Sequence, residues 1–205
     1  MRRVVYSVAS SLDGFIAGPE GEFDWIPADP DVDFAALFAR FDAVLRGRRS
    51  YEAARAQGEG GMPALPTWVF STTLRPEDCP GASVSSRPDE VVRALRSQPG
   101  KDLWLFGGGS LFRSLLELGL VDEVQVAVVP VILGGGRALL EPPAPRSRLR
   151  LARHRVYPRT GTVLLEYALG QGSSHLFVLG PGPGRFAVFP LPIGEEAVRE
   201  EVTRL

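Results

Sequence analysis

The sequence predicts an α/β domain: a mostly parallel central sheet with helices on both faces, closed by an antiparallel C-terminal hairpin. Three observations carry this. Apolar strand-like runs alternate with amphipathic helical patterns between Val4 and Val129, which is how βαβ units with a sheet buried on both faces read. Two of the runs end in glycine-containing turns that lead directly into helical patterns. The last two runs, Leu149 to Tyr157 and Thr162 to Ala168, are separated only by Pro158-Arg159-Thr160-Gly161, a hairpin connection.

In chain order, the first strand is Val4 to Ala9. Phe34, Leu37, Phe38 and Phe41 then recur at helical spacing and are assigned to one helix face. Ala43 to Leu45 is a second strand, followed by a helical pattern from Arg48 onward. Thr67 to Ser71 is a third, and Val91, Val92 and Leu95 mark the next helix. Leu103 to Phe106 is unbroken apolar, as a doubly buried strand should be. After it Leu111, Phe112, Leu115, Leu116 and Leu118 repeat at helical spacing, with Ser110 placed to cap the free amides. Glu123 to Val129 and the hairpin complete the sheet. Residues 1–169 are expected to form this domain. Residues 170–205 alternate Gly/Pro breakers with short apolar bursts and read as an appendage, ending in a short helix with Val198, Val202 and Leu205 on one side. A loosely held tail and a docked tail that helps build a homodimer both fit.

With 205 residues, 44% hydrophobic and 23% charged, the chain has the composition of an ordinary globular domain. A formal net charge of −1 excludes a partner held mainly through a nucleic-acid backbone. No apolar run approaches the roughly 20 residues of a membrane span. MRRVVYSVAS enters a strand pattern without a cleavage site, so a cytoplasmic protein is expected. Cys79 is the only cysteine and the two histidines, His154 and His175, are far apart, which leaves no ligand-spaced metal cluster.

The chemistry concentrates at strand ends. In LFGGGSLF three glycines join a strand to a helix, where bare backbone lets a phosphate approach unpaired helix-start amides. A tight turn needing positive φ would use the same residues. RGRRSYEAA repeats the arrangement: Gly47 permits close approach, Arg48 and Arg49 offer guanidinium donors, and Ser50 caps the helix or binds a phosphate oxygen. In TWVFSTTLRPED the strand ends in Ser71, Thr72 and Thr73 with Arg75 nearby, hydroxyls and a cation suited to a ribose 2′-phosphate. No G-x-G-x-x-G follows the first strand, which argues against a Rossmann site.

Taken in order, SVASSLDGFIAGPEGEFDWIP, DAVLRGRRSYE, LFGGGSLFRSLLELGLVDEVQV and VPVILGGGRALL resemble the dihydrofolate reductase-like superfamily, in particular stand-alone relatives of the riboflavin-biosynthesis reductase domain. The resemblance implies a three-layer fold that binds NADPH along the carboxyl edge of the sheet. It implies hydride transfer to a small heterocyclic acceptor, pterin- or ribosylaminopyrimidine-like. By position, Gly47, Arg48, Arg49 and Ser50 would hold phosphates at one helix start, and Gly107, Gly108, Gly109, Ser110 and Leu111 at the other. Ser71 and Thr72 match the 2′-phosphate contacts. Leu12-Asp13-Gly14 opens the loop over the nicotinamide, and Trp25 matches the aromatic at the junction of cofactor and substrate. The acid is open among Asp13, Asp29 and Asp33, each of which also reads as a cap or turn residue. Phe106 stands where riboflavin-pathway reductases usually carry a glutamate, so a non-catalytic NADPH-binding or sensor protein is the alternative function.

Overall fold

The computed structural model describes residues 1–56 and 65–169, and the backbone of 174–179 and 186–191. Its elements are β1 (Val4–Ser11), β2 (Phe15–Ala17), α1 (Phe34–Ala39), β3 (Phe41–Gly47), α2 (Arg48–Ala56), β4 (Thr67–Phe70), β5 (Ala82–Ser85), α3 (Pro88–Ser97), β6 (Asp102–Gly107) and α4 (Gly109–Glu117). They continue with β7 (Glu123–Val129), β8 (Arg137–Ala138), β9 (Leu149–Tyr157), β10 (Thr162–Leu169), β11 (Ser174–Leu179) and β12 (Phe186–Leu191).

Eight strands form one sheet in the order β5-β4-β3-β6-β1-β7-β10-β9. From β5 to β7 all neighbours pair parallel, and β10 runs antiparallel to both β7 and β9. The result is a mostly parallel α/β sheet with an antiparallel C-terminal pair. On one face Val4, Tyr6, Leu45, Leu103 and Leu105 are buried against Val92 of α3 and Leu111, Phe112 and Leu115 of α4. Tyr6 stacks on Phe112 with ring centroids 3.9 Å apart. Alternate residues of the same strands, Val5, Val44 and Trp104, face the other way and meet Leu37 and Phe38 of α1. Tyr51 of α2 packs on Val69 and Cys79. Helices therefore cover both faces.

Two local expectations are corrected. Phe41 opens β3 rather than lying on the α1 face; it stacks on Trp104 at 5.5 Å, so one aromatic cluster is fed by a helix and a strand in succession. Helical spacing ran across that junction unbroken. Ser110 is inside α4, whose N-cap is Gly108 without a side-chain cap bond. The short strands β2, β5 and β8 carry no periodic signal, and none was expected. In the segment expected as an appendage, β11 and β12 pair antiparallel as a hairpin beside β9, and the terminal helix expected over 195–205 lies outside the described residues.

The amino ends of the central strands are tied by charge. Arg40 donates through both terminal nitrogens to Glu123, at 2.9 and 2.7 Å, and through Nε to Asp102 at 2.9 Å. Arg3 adds a bond to Asp102 at 2.8 Å. Burial pushes the Asp102 carboxyl up, but hydrogen bonds from Arg3 and Arg40 outweigh it and hold the group below its ordinary range. A depressed carboxyl contributes stability above its unfolded pKa, about 3.9, and that contribution is lost as pH falls through the folded value. Urea unfolding should therefore show stability falling below about pH 4, with a shallower acid limb in Asp102→Asn. Arg40→Ala should cost about 2 kcal/mol at neutral pH, because it leaves two carboxylates, 14% and 11% exposed, to the more exposed Arg3 as their remaining guanidinium partner.

Candidate functional site

A cleft of about 1190 Å³ opens along the carboxyl ends of β1, β3, β4 and β6. In an open α/β sheet these ends are where side chains and helix starts converge without blocking the strands. The three strand-end turns singled out above all reach it. β3 passes into α2 with no intervening residue, so Gly47, Arg48, Arg49 and Ser50 line the cleft at a helix start. The Arg48 guanidinium reaches Thr73 Oγ1 at 3.4 Å and Glu52 at 3.9 Å, tying α2 to the turn after β4. Arg49 is exposed and makes no ion pair among the described residues.

Ser71 and Thr72 line the same cleft at the end of β4. Ser71 Oγ accepts from the amides of Thr73 and Leu74, at 3.1 and 3.0 Å, so the hydroxyl mainly shapes the turn that presents Thr72 and Thr73. Gly108, Gly109, Ser110 and Leu111 line it at the start of α4, and Gly107 does not. The Gly107–Gly108 peptide is cis. The first amides of α4 have no side-chain cap, so the helix start points bare donors toward the cleft.

The glycines here answer two different demands. Gly107 has φ +108° and lies under the Tyr6 ring, 3.3 Å from where its Cβ would stand, and a Cβ on Gly109 would collide with the Ala138 carbonyl oxygen. These two serve the fold. Gly47 and Gly108 do not have positive φ, and the nearest atoms to their added Cβ positions are 3.8 Å and 3.5 Å away. The fold leaves room for a side chain there, and that room belongs to the cleft.

A flap closes one side. β2 and β8 pair antiparallel, Phe15 with Ala138 and Ala17 with Arg137, and Ile16, Ala17, Gly21, Phe23 and Arg137 all line the cleft from it and its adjoining loop. Val8, Ala9, Ile26 and Phe106 extend the apolar part of the lining. Phe106 has the Arg46 guanidinium 5.2 Å over its ring. Sequence reasoning missed the flap and Arg137, because a three-residue and a two-residue strand offer no periodicity to read.

The residues expected to be catalytic are not brought into this lining. Asp13 accepts from the amides of Leu133 and Gly134, at 3.1 and 2.7 Å, and a Ser11 hydrogen bond together with these amides lowers its pKa. It staples the β1–β2 turn to the loop before β8. Asp33 is the N-cap of α1, accepting from Ala36 N at 2.9 Å. Asp29 is buried, accepting from Asp31 N at 2.9 Å and from the Thr160 hydroxyl at 2.8 Å; the Asp31 amide bond leads in lowering its pKa. Trp25 donates from Nε1 to the Glu22 carbonyl at 3.3 Å, and its neighbours Phe23 and Ile26 line the cleft instead. Among the described residues no three His, Cys, Asp or Glu side chains group as a metal site, and no helix is long and apolar enough to cross a membrane.

The chain is similar over most of its length to known proteins. The Bacillus subtilis protein YyaP is 34% identical over 178 residues, covering 81% of this chain and 94% of that protein. A Shewanella sp. PV-4 protein assigned to riboflavin biosynthesis shares the fold at a TM-score of 0.72 with 24% identity, over 83% of this chain and 100% of that one. Dihydrofolate reductase from Enterococcus faecalis, solved with NADP(H), gives a TM-score of 0.59 at 17% identity, over 82% and 97% of the two chains. The fold is thus dihydrofolate reductase-like, and with the RibD C-terminal domain model matching residues 2–163, the chain belongs to that family.

Proposed function

We propose that the chain is an NADPH-dependent reductase that passes hydride to a small heterocyclic acceptor. The observation that carries this reading is the convergence of three strand-end turns on one cleft, at two glycines, Gly47 and Gly108, whose absent side chains would have occupied it. Such bareness suits a ligand that must touch backbone, and two adjacent helix starts suit a diphosphate. Membership of the RibD C-terminal family supports the same reading.

In this reading the starts of α2 and α4 hold the diphosphate through amides and hydroxyls, and Arg49 with Thr72 takes the 2′-phosphate. When bound, NADPH supplies the hydride. Ile16, Phe23, Ile26 and Phe106 sandwich the reacting rings and exclude water, so positioning provides most of the rate. Asp13 is anchored by two amides and held ionised, which makes it a poor proton donor at neutral pH; water delivers the proton to the reduced acceptor. Phe106 accepts no hydrogen bond, so the acceptor is one that asks for none at that position, closer to a pterin-like ring than to a ribosylaminopyrimidine. The placement of Asp13, Trp25 and Asp33 outside the lining favours one second reading, an NADPH-binding protein without turnover.

Millimolar NADPH should raise the thermal midpoint by roughly 5–10 °C, as expected for a ligand near a hundred times its Kd. Gly47→Ala should keep the unliganded midpoint within about 2 °C, since the new methyl meets nothing closer than 3.8 Å, and should remove most of the NADPH shift. No NADPH protection of the wild type would end the reductase reading, and protection without NADPH oxidation by any acceptor would establish the second one. Among acceptors, pterins and small conjugated carbonyls should consume NADPH faster than ribosylaminopyrimidines. Phe106→Glu should narrow that difference at least about tenfold, the scale at which a restored hydrogen bond to a polar substrate acts.

A further inference from the structure

One cation at the cleft belongs to none of the three strand-end turns. Arg137 lines the cleft from β8, is exposed, and makes no ion pair among the described residues. Its position in the fold is determined on both sides. The next residue, Ala138, touches the start of α4 so closely that its carbonyl oxygen leaves no room for a side chain on Gly109. In the other direction the Arg137 Nε lies 3.6 Å from where a Cβ on Gly21 would stand, alongside the loop that follows β2. Arg137 therefore sits in the cleft wall between the start of α4, which its neighbour Ala138 touches, and the loop after β2, which its own side chain touches.

We propose that Arg137 is an additional anion ligand of the cofactor site, presented by the β2–β8 flap to the diphosphate of the bound dinucleotide. The inference rests on the reductase reading above and extends it to a residue outside the strand-end turns. The charge distribution of the flap wall favours such a partner. Besides Arg137, the charged residues lining that wall are Glu20 and Glu141, and the Glu141 amide lies 3.2 Å from the Cβ position of Gly109, beside the same helix start. A diphosphate seated on α4 with Arg137 removed would share the cleft with Glu20 and Glu141 and no cation of the flap wall. With Arg137 present it meets a planar guanidinium able to donate two parallel bonds to phosphate oxygens. Arg48, on the α2 side, is partly engaged by Glu52 and Thr73, which leaves the flap arginine to balance the diphosphate from its own wall. The same contact would draw the flap down over the dinucleotide, since Arg137 and Ala17 are paired in its two strands.

The test uses the full chain and the dissociation constants of NADPH and NADH, read from the fluorescence change of the reduced nicotinamide on titration. Arg137→Gln should weaken both cofactors by the same factor, about tenfold, because both carry the diphosphate and a charge-assisted bond is worth that much. Arg137→Lys should fall between it and the wild type, and Arg49→Gln should weaken NADPH far more than NADH. The unliganded thermal midpoint of Arg137→Gln should match the wild type, so a loss of binding cannot be assigned to unfolding. Kd values for Arg137→Gln within about twofold of wild type would overturn the proposal, twofold being well short of what such a bond supplies. Weakening of NADPH alone would also overturn it, by moving Arg137 to the 2′-phosphate. A wild type that binds NADPH while Arg137→Gln binds it equally well removes only this inference; a wild type that does not bind NADPH removes the reductase reading and this inference together.

Discussion

The parallel pairing of β3 with β6 is the constraint on which the site depends. These strands are distant in sequence, yet Val44 lies beside Trp104 and Leu45 beside Leu105, so both end at the same rim. Each passes almost directly into a helix, α2 after Gly47 and α4 after Gly107 and Gly108. Two helix starts consequently stand next to each other with their unpaired amides facing the same space. Adding β4 on the far side of β3 brings the Ser71–Thr73 turn to the same rim, joined to α2 through Arg48. Nothing in this arrangement needs a long loop to fold correctly. The register of the sheet core, fixed by Leu45, Leu103 and Leu105 on one face and Val44 and Trp104 on the other, places the polar groups as a by-product.

Much of this was legible in the chain because the chemistry sits where a periodic signal stops. An apolar run that ends in Gly-Arg-Arg-Ser or Gly-Gly-Gly-Ser marks its own carboxyl terminus, and the residues just past it are confined to the strand-end rim. Eleven of those residues are named from sequence for the cofactor, and ten of them line one cleft, Gly107 being the exception. Gly107 is instead demanded by its positive φ and by the Tyr6 ring beneath it. The catalytic expectations were weaker for a physical reason. A carboxylate in a loop can cap an amide or face a ligand, and spacing does not separate the two. Asp13, Asp29 and Asp33 each turn out to hold backbone amides. The flap was unreadable because β2 and β8 are three and two residues long and pair across more than a hundred positions of chain, Phe15 with Ala138.

Charge is used oppositely at the two ends of the sheet, and this separation is hidden in a net charge of −1. At the amino ends Arg3 and Arg40 meet Asp102 and Glu123, Arg2 meets Asp42, and Arg96 meets Asp122. Each of these arginines has a carboxylate in contact, so burial of the charges is compensated within the protein. At the carboxyl ends Arg49 and Arg137 have no ion pair among the described residues, while Glu52 pairs with Arg48 and Glu20 and Glu141 line the cleft. The amino end is electrostatically closed and stabilising. The carboxyl end is open, and two of its guanidiniums have no carboxylate partner among the described residues.

Unpaired guanidiniums of this kind carry a cost, because like charges around one cleft repel. A fold selected for stability alone would place carboxylates beside them, as it does at the amino ends, or would fill the space above Gly47 and Gly108 with side chains that the backbone geometry there accepts. At Arg49 and Arg137, and at Gly47 and Gly108, it does neither. The same molecule thus shows that it can neutralise arginines, as at the amino ends, and can pack a glycine position tightly, as at Gly109, and refrains from both at these four positions of one rim. In the proposed reading, an anion bound at that rim would supply the missing charge and the missing contacts together, which a purely structural role for these residues would not.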